Sequence, residues 1–104
     1  MLVIPEMEVG DIVFHPLYKR VHINGDSIAL TEQESYLFEA LALCEGTMVT
    51  RDMLNVIRHK HTGLRPSSDH SVDPHIFRLR RKLQGSARVR IRPVPKCGFK
   101  LLVI

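Results

Sequence analysis

Residues 71–83, Ser71-Val72-Asp73-Pro74-His75-Ile76-Phe77-Arg78-Leu79-Arg80-Arg81-Lys82-Leu83, constrain the chain most. Val72, Ile76, Leu79 and Leu83 recur at helical spacing, so they share one face of a helix. With Leu79 at 0° and about 100° per residue, those four fall between roughly 0° and 60°. Arg78 and Arg81 fall near 260° and 200°, beside Pro74 and Phe77, and His75, Arg80 and Lys82 sit on the flanks. One apolar stripe would hold this helix while cationic forks point outward. A helix that enters a DNA major groove needs that layout, its far face toward bases and its flanks toward phosphates. An ordinary basic amphipathic surface helix fits the same letters.

Charge distribution bears on that choice. Residues 1–73 hold six Lys/Arg against all eleven Asp/Glu, a balance of −5, whereas residues 74–104 hold nine Lys/Arg and no acid, +9. A basic third on an acidic remainder points to a polyanion-facing surface. The basic segment lacks an exposed apolar stripe with Trp, which argues against a membrane surface. Nucleic acid is the better partner.

The 104 residues suffice for one domain with a single core. No apolar run approaches the length of a membrane span, and Met1-Leu2-Val3-Ile4-Pro5 lacks the basic start and long apolar core of a signal peptide. A cytoplasmic setting is the default. Cys44 and Cys97 make no disulfide framework. Cys44 reads as a small core residue and Cys97 as a turn residue. His59-x-His61 and the wider pair His70 and His75 match no zinc spacing, so neither metal nor cofactor is expected.

In chain order, residues 1–30 read as an antiparallel platform of three or four strands. Val3-Ile4 is a brief extended run, Val9 to Phe14 a strand, and Arg20 to Ile23 and Ser27 to Leu30 two arms about the hairpin signal Asn24-Gly25-Asp26. Thr31-Glu32-Gln33-Glu34 has capping-box form, and Leu37, Phe38, Leu41 and Cys44 follow as a core stripe stopped by Gly46. Thr50 caps a second helix, with Asp52 in its first turn, Leu54 and Ile57 as core positions, and an end near His59 or Lys60. His61 to His70 reads as a loop. After the basic helix, Arg88-Val89-Arg90-Ile91-Arg92 alternates, Val89 and Ile91 inward and three arginines outward. Pro93 to Gly98 forms a turn region, and Phe99 to Val103 closes a hairpin.

This order resembles the OmpR/PhoB-type winged-helix DNA-binding domain of bacterial response regulators. The likeness rests on Ile28-Ala29-Leu30-Thr31-Glu32-Gln33-Glu34, on Gly46 and Arg51 around the second helix start, on residues 72–83, and on Gly98-Phe99-Lys100-Leu101. It covers about Val9 to Val103. The fold it implies is α+β: a winged helix-turn-helix with an N-terminal antiparallel sheet (1–30), a three-helix core (31–83) and a C-terminal β-hairpin wing (87–103), one domain over 1–104. The function it implies is sequence-specific binding of double-stranded DNA by a bacterial transcriptional regulator. In the family, residues at the places of Arg78 and His70 reach bases, and those at Ser71, His75 and Arg80 hold phosphates. Arg81 is a second base candidate, Lys82 a backbone contact, and Lys96 and Arg92 the wing's contacts. The resemblance further implies tandem half-sites, a homodimer on DNA, and RNA polymerase contact through about 58–69.

Three departures stand out. Pro95 and Lys96 occupy the family's Arg-Gly wing position, and Pro93 a Thr position, which puts minor-groove reading in doubt. Pro74 replaces an aliphatic residue but lies in the first helical turn, where its missing N–H costs nothing. Phe77 stands where a polar residue is usual; thymine methyls, a neighbouring subunit and the preceding loop are its three candidate contacts. These features leave open a winged-helix module whose partner is protein, with weakened or lost DNA binding. An RNA-binding protein is disfavoured by the absence of a stacking platform or RNA-module signature. An enzyme is not expected: the acids show no pairing spacing, no Gly-rich phosphate loop exists, and neither cysteine has a basic activator. The resemblance accommodates either an effector domain cut from a longer protein or a free-standing regulator.

Overall fold

The computed structural model describes residues 6–62 and 72–104, with the backbone alone at 60–62. His70, Ser71, Val3-Ile4 and most of the expected 61–70 loop lie outside the described residues.

The platform is a four-stranded antiparallel meander of β1 (Met7–Val9), β2 (Ile12–His15), β3 (Arg20–Ile23) and β4 (Asp26–Ala29). Val9, Ile12, Phe14, Val21 and Ile23 alternate onto its buried face. The single strand expected over Val9 to Phe14 is two strands. Gly10 at φ +59° opens a two-residue turn that pairs Val9 with Ile12. Asn24 and Gly25, at φ 51° and 84°, form the expected hairpin turn. Both turns grip the segment leading into the wing. Asp11 accepts from the Ser86 hydroxyl and, at 2.8 Å, from the Ala87 N–H, while Asn24 Nδ2 donates to Gly85 O at 2.6 Å. The Ser86 hydrogen bond holds the Asp11 carboxyl below its usual pKa.

Helix α1 (Glu32–Leu43) begins on a complete capping box: Thr31 Oγ1 accepts from Glu34 N, and Glu34 Oε1 from Thr31 N. Leu37, Phe38 and Leu41 are fully buried, with Phe38 edge-on to Phe14 at 5.0 Å. Cys44, expected in this stripe, is exposed. It is the C-cap, past the last packed turn, and the chain turns away at Gly46, whose N–H bonds Leu101 O.

Two residues, β5 (Val49–Thr50), then pair with the C-terminal strand, an element the sequence reading did not contain. Thr50 Oγ1 caps α2 (Arg51–Thr62) by accepting from Met53 N. This helix runs past its expected end at His59 or Lys60. Leu54 is buried, but Ile57 is only partly so. Arg58, expected at the start of the loop between the second and third helices, is a buried residue of α2 bonded to Gln33.

Helix α3 (Asp73–Lys82) carries Pro74 in its first turn, as expected. Val72, Ile76, Leu79 and Leu83 are all buried. Arg51 binds Asp73 at 3.0 Å and lies over the Phe99 ring, which ties the start of α3 to α2 and the C-terminal strand. The wing is β6 (Val89–Val94) and β7 (Gly98–Val103), in a sheet ordered β5-β7-β6. Pro93 and Val94 belong to β6 rather than to the turn. An edge strand tolerates a proline, whose lost N–H can face solvent. Val89, Ile91 and Leu101 complete the core.

Candidate nucleic-acid interface

The helix and the wing share a cationic cleft. One recess of about 420 Å³ is lined by Phe77, Arg80, Arg81, Gln84 and Arg90 above an apolar floor of Leu83, Val89 and Ile91. Another, lined by Arg80, Arg90, Ile91, Arg92 and Pro93, extends it along β6. The stripe that buries Ile76 and Leu79 therefore does what the periodicity predicts: it turns Phe77, Arg78, Arg80 and Arg81 to solvent.

These cations differ in how they are held. The side chains of Arg80, Arg92 and Lys96 make no hydrogen bond or ion pair among the described residues. Arg81 lies 5.9 Å from the Phe77 ring centroid, a cation–π distance, and Phe77 itself is 59% exposed. Arg90 folds back onto the carbonyls of Ser86 and Val89, and Arg88 onto Ile104 O. The sequence reading gave Arg90 no part in the site; alternation alone put it outward, and only the packing of α3 against β6 brings it beside Arg80.

Lys82, expected to contact the DNA backbone, is engaged within the protein. Its ammonium donates to Glu34 Oε1 at 2.5 Å and to Ala29 O at 3.1 Å. Glu34 is fully buried, and its other oxygen faces Arg78 Nε at 3.7 Å. Arg78 Nη2 lies 2.9 Å from His75 Nδ1. Because an arginine can only donate, His75 Nδ1 is the acceptor and the neutral ring carries its proton on Nε2, free for another acceptor. Burial lowers the His75 pKa, the charges of Arg78 and Arg58 lower it further, and Glu34 opposes them. The sequence reading treated Glu34 as a cap and missed its place behind the basic helix.

At the wing tip, Pro95-Lys96-Cys97 joins the strands, with Cys97 N bonded to Val94 O and Lys96 at φ 65°. Proline followed by a positive φ is the type II pattern, which favours glycine at the position after the proline. Lys96 occupies that place.

The fold recurs in solved structures. The DNA-binding domain of CpxR from E. coli superposes with a TM-score of 0.78 at 28% identity, covering 95% of this chain and 97% of that one. The Klebsiella pneumoniae RstA DNA-binding domain, solved in complex with the RstA box, gives 0.72 at 26% identity, covering 93% and 96%. Among curated relatives, the cell cycle transcriptional regulator CtrA of Caulobacter vibrioides is 35% identical over 81 residues, 78% of this chain and 34% of that protein. The cell cycle response regulator CtrA of Brucella anthropi is 32% identical over 74 residues, 71% and 31%. The chain thus spans about a third of the length of the curated relatives it matches. Residues 25–101 match the family described as "Transcriptional regulatory protein, C terminal", and the chain belongs to that family of OmpR/PhoB-type winged-helix DNA-binding domains.

Proposed function

We propose that this domain reads duplex DNA by sequence, with α3 in the major groove, as part of a cytoplasmic bacterial transcriptional regulator. The observation that carries the reading is the division of α3 into a buried stripe and an exposed face bearing Arg78, Arg80 and Arg81, continuous with the arginines of β6. Arg78 is the base-reading fork, for which a bidentate contact to guanine gives roughly 1–3 kcal/mol of discrimination. Arg81, set over Phe77, is the other candidate, and the exposed part of the Phe77 ring would meet thymine methyls. His75, through Nε2–H, and Arg80 hold phosphates, while Arg92 and Lys96 meet the backbone beyond the groove. His70 and Ser71 complete the set at the helix entry. RNA polymerase would meet the segment after α2, and two copies on tandem half-sites would supply the affinity that one small domain lacks.

About 4–6 neutralised phosphates give log affinity against log salt a slope of roughly −4 to −5. The test compares selected and random duplexes over a salt series. Arg78→Ala is expected to erase the preference between sequences, and Lys96→Ala to weaken all duplexes equally. If the wild type, even as a tethered dimer, shows no preference in a random pool at low salt, the reading fails. A protein-docking module is the alternative, favoured by the exposed Phe77 and the proline-flanked wing tip; it predicts that same flat result.

A further inference from the structure

We propose that Glu34, buried in α1, is a positioning residue for DNA reading: it turns the Arg78 guanidinium so that only its terminal edge meets a base. This rests on the assignment of Arg78 as the base-reading residue. A guanidinium has two edges that can offer paired N–H groups, one made by Nε with the neighbouring Nη2 and one made by Nη1 with Nη2. In Arg78 the first edge is turned to the protein, Nε toward Glu34 Oε2 at 3.7 Å and Nη2 toward His75 Nδ1 at 2.9 Å. The Nη1–Nη2 edge is left for guanine, which is therefore approached end-on.

Glu34 suits this role because nothing about it is free to adjust. It is 0% exposed, its Oε1 is fixed by Thr31 N and Lys82 Nζ, and its Oε2 accepts no hydrogen bond among the described residues. A buried, uncompensated carboxylate oxygen draws the nearest cation strongly. Arg78, with half its side chain exposed, would otherwise lose rotamer freedom on binding. Burial also keeps Glu34 out of contact with DNA, so the residue affects base reading only through Arg78.

The experiment uses the whole chain and compares Glu34→Gln with Thr31→Ala, which removes the cap without touching Arg78. Affinities for selected and random duplexes are measured alongside thermal melting. For Glu34→Gln the selected-to-random ratio is expected to fall about tenfold, within the worth of one bidentate base contact, with random-duplex affinity unchanged or raised. Thr31→Ala should lower the melting temperature and keep the ratio. Retention of the wild-type ratio in Glu34→Gln, or an equal loss in both variants, overturns the inference. A further measurement needs no variant: in the free wild type the Arg78 Nε–H should be as ordered by NMR relaxation as the α3 backbone, and the Arg92 Nε–H disordered. An Arg78 as mobile as Arg92 overturns the proposal too. A wild type without sequence preference removes the base-reading assignment itself, whereas a preference abolished by Arg78→Ala but kept in Glu34→Gln removes only the role of Glu34.

Discussion

Replacing Lys82 with methionine separates a structural cation from a DNA-binding one. Methionine keeps the unbranched stem and removes only the ammonium, leaving the fully buried Glu34 with Thr31 N on one oxygen and Arg78 at 3.7 Å from the other. Breaking a fully buried ion pair from one side costs about 3–5 kcal/mol. The Lys82 side chain is 31% exposed, so water already screens part of the pair. The discounted cost is about 2–3 kcal/mol. For a domain of this size that lowers the melting temperature by roughly 10–20 °C. The lost bond to Ala29 O adds little, because Ala29 is exposed and water replaces the donor. Each cation that neutralises a phosphate contributes about 0.9 to the salt slope. Lys82→Met should therefore leave the slope unchanged when measured well below its melting temperature. Arg80→Met should lower the slope by about 0.9 and stability by no more than about 0.5 kcal/mol. If Lys82→Met lowers the slope as Arg80→Met does and melts like the wild type, the internal placement of Lys82 is wrong.

Three further outcomes follow from the same geometry. Gly98→Ala would place a Cβ 2.1 Å from Val49 O and 2.8 Å from Thr50 Cα, forcing β5 off β7. Urea melts should show a loss of about 3 kcal/mol or more, whereas Gly85→Ala, whose Cβ meets only Ile23 Cγ2 at 3.5 Å, should change stability by less than about 1 kcal/mol. Lys96→Gly relieves a left-handed lysine, which favours the fold by about 1 kcal/mol before glycine's chain entropy offsets part of it, while the lost cation lowers the salt slope by about 0.9. Below the ordinary histidine range, protonation removes the His75 Nδ1 acceptor and sets a cation against Arg78. Because the folded pKa is depressed, stability and sequence discrimination should both be full above the unfolded value and fall as pH drops toward and through the folded one. Titrating the selected-to-random ratio against pH, with His75→Ala as the flat comparison, checks this.

How far the letters reach depends on how local the cause is. The start of α1 was legible because a capping box and its stripe lie within one stretch. Residues Val9 to Phe14 misled because they read as one strand. They are broken by the tight turn at Gly10 and Asp11, which is anchored by the bonds of Asp11 to Ser86 and Ala87 near the far end of the chain. Two residues carry no periodicity, so β5 was invisible; it exists because Gly98 has no side chain to hold Val49 away. Cys44 kept helical phase with Leu37 and Leu41 but is the C-cap, exposed where the helix ends. Phase places a side chain on a face, and only tertiary structure says whether that face is covered there.

The same limit divides the interface. On the helical wheel His75, Arg78 and Lys82 gather between about 260° and 320°, and Arg80, Phe77 and Arg81 between about 100° and 200°. The periodicity divided them otherwise, with Arg78 and Arg81 on the far face and His75, Arg80 and Lys82 on the flanks. The fold makes the two groups opposite. The His75 group leans on α1, where Glu34 engages Lys82 and faces Arg78, and its charges are partly spent inside the protein before DNA arrives. The Arg80 group faces β6 across the cleft, where Arg90 and Arg92 add charge and no acid lines the walls among the described residues. On the proposed reading, the Glu34 flank would orient Arg78, while the wing flank, the candidate base contact of Arg81 apart, would mainly attract the DNA backbone. Substitutions on the Glu34 flank should change which sequences bind, and those on the wing flank how steeply binding falls with salt. The proline-stiffened tip need not reach a minor groove for this proposed division to operate, because the wing's cations would act through the cleft and on the backbone beyond it.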